Sequence, residues 1–232
     1  MPKNNWTNEL VFLLDALKRE KARINLLMPY FGYARQDRIA ERGESLSAKV
    51  ICDWLKSFRL NRIIVVEMHS PRLRKFLGYK NIVPYELIYP KARKSDVIVA
   101  PDKGTIHFVK KVSRACRRPF ITMLKSRPVK EKVRIAMKGG DVKGKKVLIL
   151  DDMISTGSTI IEASRKLREK GAKEIYVFAT HGIFADGAIR RLERSPIKRI
   201  YVTNTVPRRI RSRKIKVMDI SGFIERTMRK GS

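Results

Sequence analysis

Short apolar runs rich in valine and isoleucine recur along the chain at 24–28, 63–66, 97–100, 120–124, 147–150, 175–179 and 200–203. Runs that stay apolar at consecutive positions predict strands buried on both faces, the habit of a parallel sheet. Between them lie amphipathic segments at 10–17, 48–58, 160–168 and 185–192, where apolar residues return at helical spacing. Strand and helix in alternation predict an α/β fold whose ligands sit at the C-terminal ends of the strands. Residues 84–94 carry two prolines and three basic residues, and this stretch is the predicted joint between two halves, 1–87 and 88–232. No internal repeat interrupts the pattern.

Composition narrows the class. With 43% hydrophobic residues among 232, the chain has enough apolar mass for a globular core. The two cysteines, Cys52 and Cys116, are too few and too far apart for a disulfide framework or a thiolate metal site. No apolar stretch reaches the length of a membrane span, and residues 1–9 lack a signal-peptide core, so a cytoplasmic location is expected. The formal net charge of +31 attracts polyanions. The basic residues are scattered, however, and no aromatic-interleaved motif accompanies them, so nucleic acid is not the expected main partner.

The strongest chemical signal is the segment 147–159, VLILDDMISTGST. An apolar strand is expected to end in two carboxylates, Asp151 and Asp152, before a turn of Ser155, Thr156, Gly157, Ser158 and Thr159 opens a helix. Hydroxyls, unpaired backbone N–H groups and a helix N-terminus form an anion cradle. Two adjacent carboxylates can accept hydrogen bonds from neighbouring sugar hydroxyls. Phosphate at one end and a cis-diol at the other describe ribose 5-phosphate. An ordinary strand-to-helix turn capped by aspartate would need neither the second carboxylate nor the Thr-Gly-Ser-Thr run.

This segment resembles the phosphoribosyl-binding loop of the type I phosphoribosyltransferase fold, which serves both transferases and pyrophosphokinases. The rest of the chain is similar to the ribose-phosphate pyrophosphokinases. Pro-Tyr-Phe-Gly-Tyr-Ala-Arg-Gln-Asp-Arg at 29–38 resembles a family segment whose Arg-Gln pair contacts ATP, which implies that role for Arg35 and Gln36. Glu67-Met68-His69 and Ala100-Pro101-Asp102-Lys103-Gly104 resemble the family's metal-bearing segments, implying that His69 and Asp102 serve the magnesium that ATP carries. Lys125-Ser126-Arg127 resembles the family's Lys-x-Arg catalytic element. Two cations there would stabilise the charge of pyrophosphoryl transfer. His181, in Ala179-Thr180-His181-Gly182, matches a family segment without an assigned role, and His107 has no matching partner.

The resemblance implies two phosphoribosyltransferase-like halves with mainly parallel sheets. The first half is expected to be incomplete, because family members carry a further N-terminal segment with an adenine-facing loop. It implies a ribose-phosphate diphosphokinase that joins Mg-ATP and ribose 5-phosphate into phosphoribosyl pyrophosphate and AMP. A homo-oligomer, or a partner supplying the N-terminal segment, is expected, since the helix around Leu10, Leu13, Leu14 and Leu17 needs cover. Two alternatives stand beside this reading. A type I phosphoribosyltransferase would share the 147–159 loop but leave Arg35, Gln36, His69, Lys125 and Arg127 unexplained. A non-catalytic or regulatory relative would bind ribose phosphates without turnover.

Overall fold

The computed structural model describes residues 5–126 and 134–229. The chain divides into two compact units, 1–83 and 84–232.

In the first unit, helix α1 (Asn5–Arg19) precedes strand β1 (Asn25–Met28), helix α2 (Ser47–Ser57), strand β2 (Arg62–Val66), a short 3-10 turn (Pro71–Lys75) and strand β3 (Lys80–Ile82). The strands form a parallel sheet in the order β1-β2-β3. Its core joins Leu14 of α1, Ala48, Cys52 and Leu55 of α2, Ile63 and Val65 of β2, and Phe31 and Ala34 of the loop after β1. Burial pushes the Cys52 thiol up to about 11. It is therefore a packing residue and no ready nucleophile. Helix α1 is less well covered than its leucines predict: Leu14 is 1% exposed, but Leu13 is 56% and Phe12 72% exposed.

The second unit opens with helix α3 (Tyr85–Arg93), followed by β4 (Val97–Ala100), α4 (Ile106–Cys116), β5 (Phe120–Ser126) and β6 (Arg134–Lys138). Then come β7 (Lys146–Ile154), α5 (Ser158–Glu169), β8 (Glu174–Gly182), α6 (Ala188–Glu193), β9 (Arg199–Thr203), β10 (Ile215–Met218) and α7 (Ser221–Arg229). The seven strands are ordered β10-β9-β8-β7-β4-β5-β6. Among the described residues only the β5/β6 pair is antiparallel. The stretch read as a joint is thus mostly helix. Pro90 inside α3 removes a helical N–H, at a typical cost of about 3 kcal/mol. The helix persists because Ile88 and Ala92 on its inner face are fully buried.

The strand order places the functional segments. The chain enters the sheet at its middle with β4, steps outward through β5 and β6, and returns to the other side of β4 with β7. Helical connections leave β4 and β7 in opposite directions, which opens a crevice above their carboxyl ends. Both strands are four-way apolar there because sheet neighbours and covering helices exclude water: Val97, Ile98, Val99, Val147, Leu148 and Ile149 are at most 2% exposed.

Candidate active site

In-register pairing of Val99 with Ile149 brings the end of β4 beside Asp151. Strand β7 does not stop at the aspartates as expected. It runs on to Ile154, paired with β8 through Met153↔His181 and Ile154↔Gly182, so both carboxylates project from the strand itself. Rigid backbone therefore fixes their positions.

The two aspartates occupy different environments. Asp151 is 8% exposed, and Asp152 is half-buried. Burial holds the Asp151 carboxyl well above the usual carboxylate range. The neighbouring Asp152, through its charge and a side-chain hydrogen bond, and the charge of Asp102 push it in the same direction. The Asp152 backbone N–H donates to Asp151 Oδ1 at 3.0 Å, which opposes the shift without cancelling it. The Asp151 carboxyl is thus biased toward its acid form, while Asp152 is the more accessible acceptor of the two.

Asp102 follows β4. Its Oδ1 accepts the Thr105 backbone N–H at 3.1 Å, and its carbonyl accepts the Thr105 hydroxyl at 3.1 Å. A side chain on Gly104 would meet Asp102 Oδ1 at 3.3 Å, so glycine there leaves the carboxylate room.

Beyond β7 the chain turns through Ser155, Thr156 and Gly157 into α5. Gly157 has φ +78°, a left-handed conformation that glycine adopts without strain. A Cβ there would also press on Leu192 of α6 at 3.3 Å. The Thr156 and Ser158 hydroxyls lie 2.9 Å apart, and Arg191 donates to the Thr156 carbonyl at 3.1 Å. That bond ties the turn to α6. Hydroxyls and the first N–H groups of α5 converge here, as an anion site requires.

The first unit carries its candidates at the carboxyl ends of β1 and β2, which are adjacent and parallel. Arg35 and Gln36 are exposed in the loop after β1, held by Gln36 N–H to the Tyr33 carbonyl at 2.8 Å and Ala48 N–H to the Gln36 carbonyl at 3.2 Å. His69 is exposed in the loop after β2. The two loops are fastened together where Ser70 Oγ donates to Asp37 Oδ2 at 2.6 Å. Glu67 sits at φ +40°, a costly conformation for glutamate. It is stabilised by its N–H to the Ile82 carbonyl at 2.8 Å and by Met68 N–H to Asn81 Oδ1 at 2.8 Å. That bend turns the chain toward His69.

Two expectations fall elsewhere. The backbone of Lys125 lies in β5 opposite Ile135, and Arg127 lies outside the described residues. His181 belongs to β8 and is 1% exposed, with its Nδ1 2.9 Å from the Thr205 hydroxyl. Thr205 and Thr203 also donate to the Thr180 carbonyl, at 3.2 and 2.7 Å. This buried threonine–histidine network braces β8 and β9 behind the site. Sequence reasoning missed it because only the register brings Thr203 and Thr205 beside Thr180 and His181.

A switch-point crevice with paired carboxylates and a hydroxyl-lined helix N-terminus defines an α/β protein built to hold a phosphorylated sugar. Comparison with known proteins narrows this. Residues 102–231 match the phosphoribosyl synthetase-associated domain, and residues 1–58 match the N-terminal domain of ribose phosphate pyrophosphokinase. The ribose-phosphate pyrophosphokinase of Caldanaerobacter subterraneus is 36% identical over 217 residues, covering 89% of this chain and 68% of the relative. That of Pyrococcus abyssi is 39% identical over 224 residues, covering 94% and 77%. The crystal structure of phosphoribosylpyrophosphate synthetase from Mycobacterium smegmatis superposes with a TM-score of 0.88 at 33% identity, over 99% of this chain and 78% of that one. The chain belongs to the ribose-phosphate pyrophosphokinase family.

Proposed function

We propose that the chain is a ribose-phosphate diphosphokinase, which transfers the pyrophosphoryl group of ATP to the C1 hydroxyl of ribose 5-phosphate and releases AMP. The observation that carries this reading is the crevice of the second unit, where Asp151, Asp152 and the Ser155–Thr159 turn stand at the topological switch point in a member of this family.

Asp152 accepts hydrogen bonds from the ribose hydroxyls, and Asp151 stands beside it with its carboxyl pushed toward the acid form by burial, which reduces the buried charge of the pair. Ser155, Thr156, Gly157, Ser158 and Thr159 receive the 5-phosphate at the start of α5. Fixing the sugar at both ends leaves its C1 hydroxyl the freedom of a single approach direction, which lowers the entropic part of the barrier. In the first unit Arg35 presents a planar donor fork for the ATP phosphates, with Gln36 beside it. Lys125 and Arg127 are assigned, on the family resemblance, to the charge that develops between attacking and leaving oxygens.

Among the described residues no group of three or more His, Cys, Asp or Glu could hold a metal ion alone. The oxygen donors of the crevice nevertheless fit a magnesium ion that arrives with ATP, since magnesium uses one or two protein carboxylates and completes its shell with phosphate and water. Asp102 is the candidate ligand of the second unit and His69 that of the first. When bound, the ion neutralises charge on the phosphate oxygens. Asp102→Ala should raise the magnesium concentration needed for nucleotide binding, and an unchanged magnesium titration would remove Asp102 from the metal site.

Incubation with ATP, magnesium and ribose 5-phosphate tests the function. AMP should appear only when the sugar phosphate is present. Accumulation of ADP, or AMP release that ignores the sugar, would refute it.

A further inference from the structure

The fold assembles an aromatic and cationic face that the chain order conceals. Helices α3 and α4 pack along a seam, and Ile88 and Ala92 of α3 and Val109, Val112 and Cys116 of α4 are all buried. Outside that seam, Tyr85 and Tyr89 stack with centroids 5.3 Å apart and ring planes at 19°, and Phe108 of α4 stands 6.4 Å from Tyr85. All three rings are half-buried. Lys111 Nζ lies 4.6 Å from the Tyr85 centroid, and the Arg93 guanidinium 5.8 Å from that of Tyr89. Arg118 donates to the Arg93 carbonyl at 2.7 Å, which holds a third cation alongside. Helix α4 contains no acidic residue, and Glu86, the acid of α3, is engaged by Arg226. None of these groups belongs to the crevice above β4 and β7.

We infer that this α3/α4 face binds single-stranded nucleic acid, with bases against the Tyr85, Tyr89 and Phe108 rings and phosphates beside Arg93, Lys111 and Arg118. Clustered rings with exposed cations over and beside them suit strand binding without sequence readout: an entering base takes the cation's place on a ring face, and the displaced cation meets the backbone. An acidic peptide would satisfy the cations but leave the rings unused, and a duplex would keep its bases stacked inside. The chain's net charge of +31 adds long-range attraction for such a strand. The expectation that nucleic acid is not the main partner concerned a motif within one segment, whereas this platform is shared between two helices.

Fluorescence anisotropy with labelled oligo-uridine and oligo-thymidine of about twelve nucleotides, a length within the usual site sizes, tests the inference. A poly-glutamate peptide and a blunt duplex serve as charge-matched comparisons. Both single strands, or the RNA alone if the sugar is read, should bind more tightly than either comparison. Tyr85→Ala should weaken strand binding about tenfold, as loss of one stacking ring does, while Tyr85→Phe should bind like the native chain. Lys111→Gln should lower the dependence of log affinity on log salt by about 0.7. Equal binding of poly-glutamate, or a Tyr85→Ala protein that binds the strand unchanged, would overturn the inference. If circular dichroism shows Tyr85→Ala unfolded, the exposed Lys111→Glu decides. It should weaken strand binding severalfold, as placing a negative charge where a phosphate contact stood does, and undiminished binding would overturn the inference.

Discussion

Asp151 and Asp152 are neighbours in sequence with opposite physical situations. Asp152, half-buried, is the residue whose charge a ribose diol would use under the proposed function. Asp152→Asn should weaken ribose 5-phosphate binding by about 1.5–3 kcal/mol, the usual worth of a hydrogen bond to a charged acceptor, with the circular dichroism spectrum unchanged. Titration calorimetry showing native affinity would remove it from the sugar site. Asp151 makes a separate prediction about stability. Its folded-state pKa is raised, so its favourable contribution is complete below the ordinary value of 3.8 and declines as pH rises toward the folded value. Asp151→Asn, which cannot ionise, should therefore melt at higher temperature than the native chain at neutral pH. The two proteins should converge in acid, near and below the ordinary carboxylate pKa. A native chain that stays the more stable at neutral pH would show that the Asp151 pKa is not raised by folding. The sequence announces the pair but not this division, because burial of one carboxyl depends on the strand running past it to Ile154.

At the scale of elements, the buried interior strands were legible, and of the edge strands only β1 was. Strands β4, β7, β8 and β9 lie inside the large sheet, and burial on both faces made them continuously apolar. The strands that patterning missed are β3, β6 and β10, each at the edge of its sheet. Lys80-Asn81-Ile82 and Ile215-Lys216-Val217-Met218 mix polar and apolar positions because one side meets solvent. Helix α3 was hidden by Pro84 and Pro90, and α4 by the basic residues crowding Val109 and Val112. Lys125 and Arg127 were singled out only through family resemblance, since Lys-x-Arg alone means little among 53 basic residues, and Arg127 lies outside the described residues. The turn into α5, in contrast, could be read directly, and it carries a test. Gly157→Ala should cost about 1–2 kcal/mol, from left-handed backbone strain together with the 3.3 Å approach to Leu192. It should also weaken ribose 5-phosphate binding by displacing the hydroxyl cradle. An alanine variant with native melting temperature and affinity would show that the turn tolerates a Cβ and that its geometry is not what holds the phosphate.

For the whole molecule, two features stand against each other. The surface is strongly basic, which opposes self-association at low salt. Yet α1 leaves Phe12 72% and Leu13 56% exposed, and Val50 of α2 is 58% exposed. Large apolar side chains exposed together on a helix mark an association surface. We propose that a second copy covers Phe12 and Leu13. Sedimentation in moderate salt, where exposed charges are screened beyond about 8 Å, should then show an oligomer that Leu13→Glu dissociates. A native chain that sediments as a monomer at micromolar concentration would exclude this. Among the described residues no helix is long and apolar enough to cross a membrane.

The central claim is that two phosphoryl groups move together from ATP to the sugar. ATP carrying a phosphorus label at its β position distinguishes this from every simpler transfer. With magnesium and ribose 5-phosphate present, the label should pass into the sugar product while AMP forms unlabelled, and the Asp152→Asn chain should slow both changes in parallel. Label retained in ADP, or released as free pyrophosphate with no labelled sugar, would contradict the account.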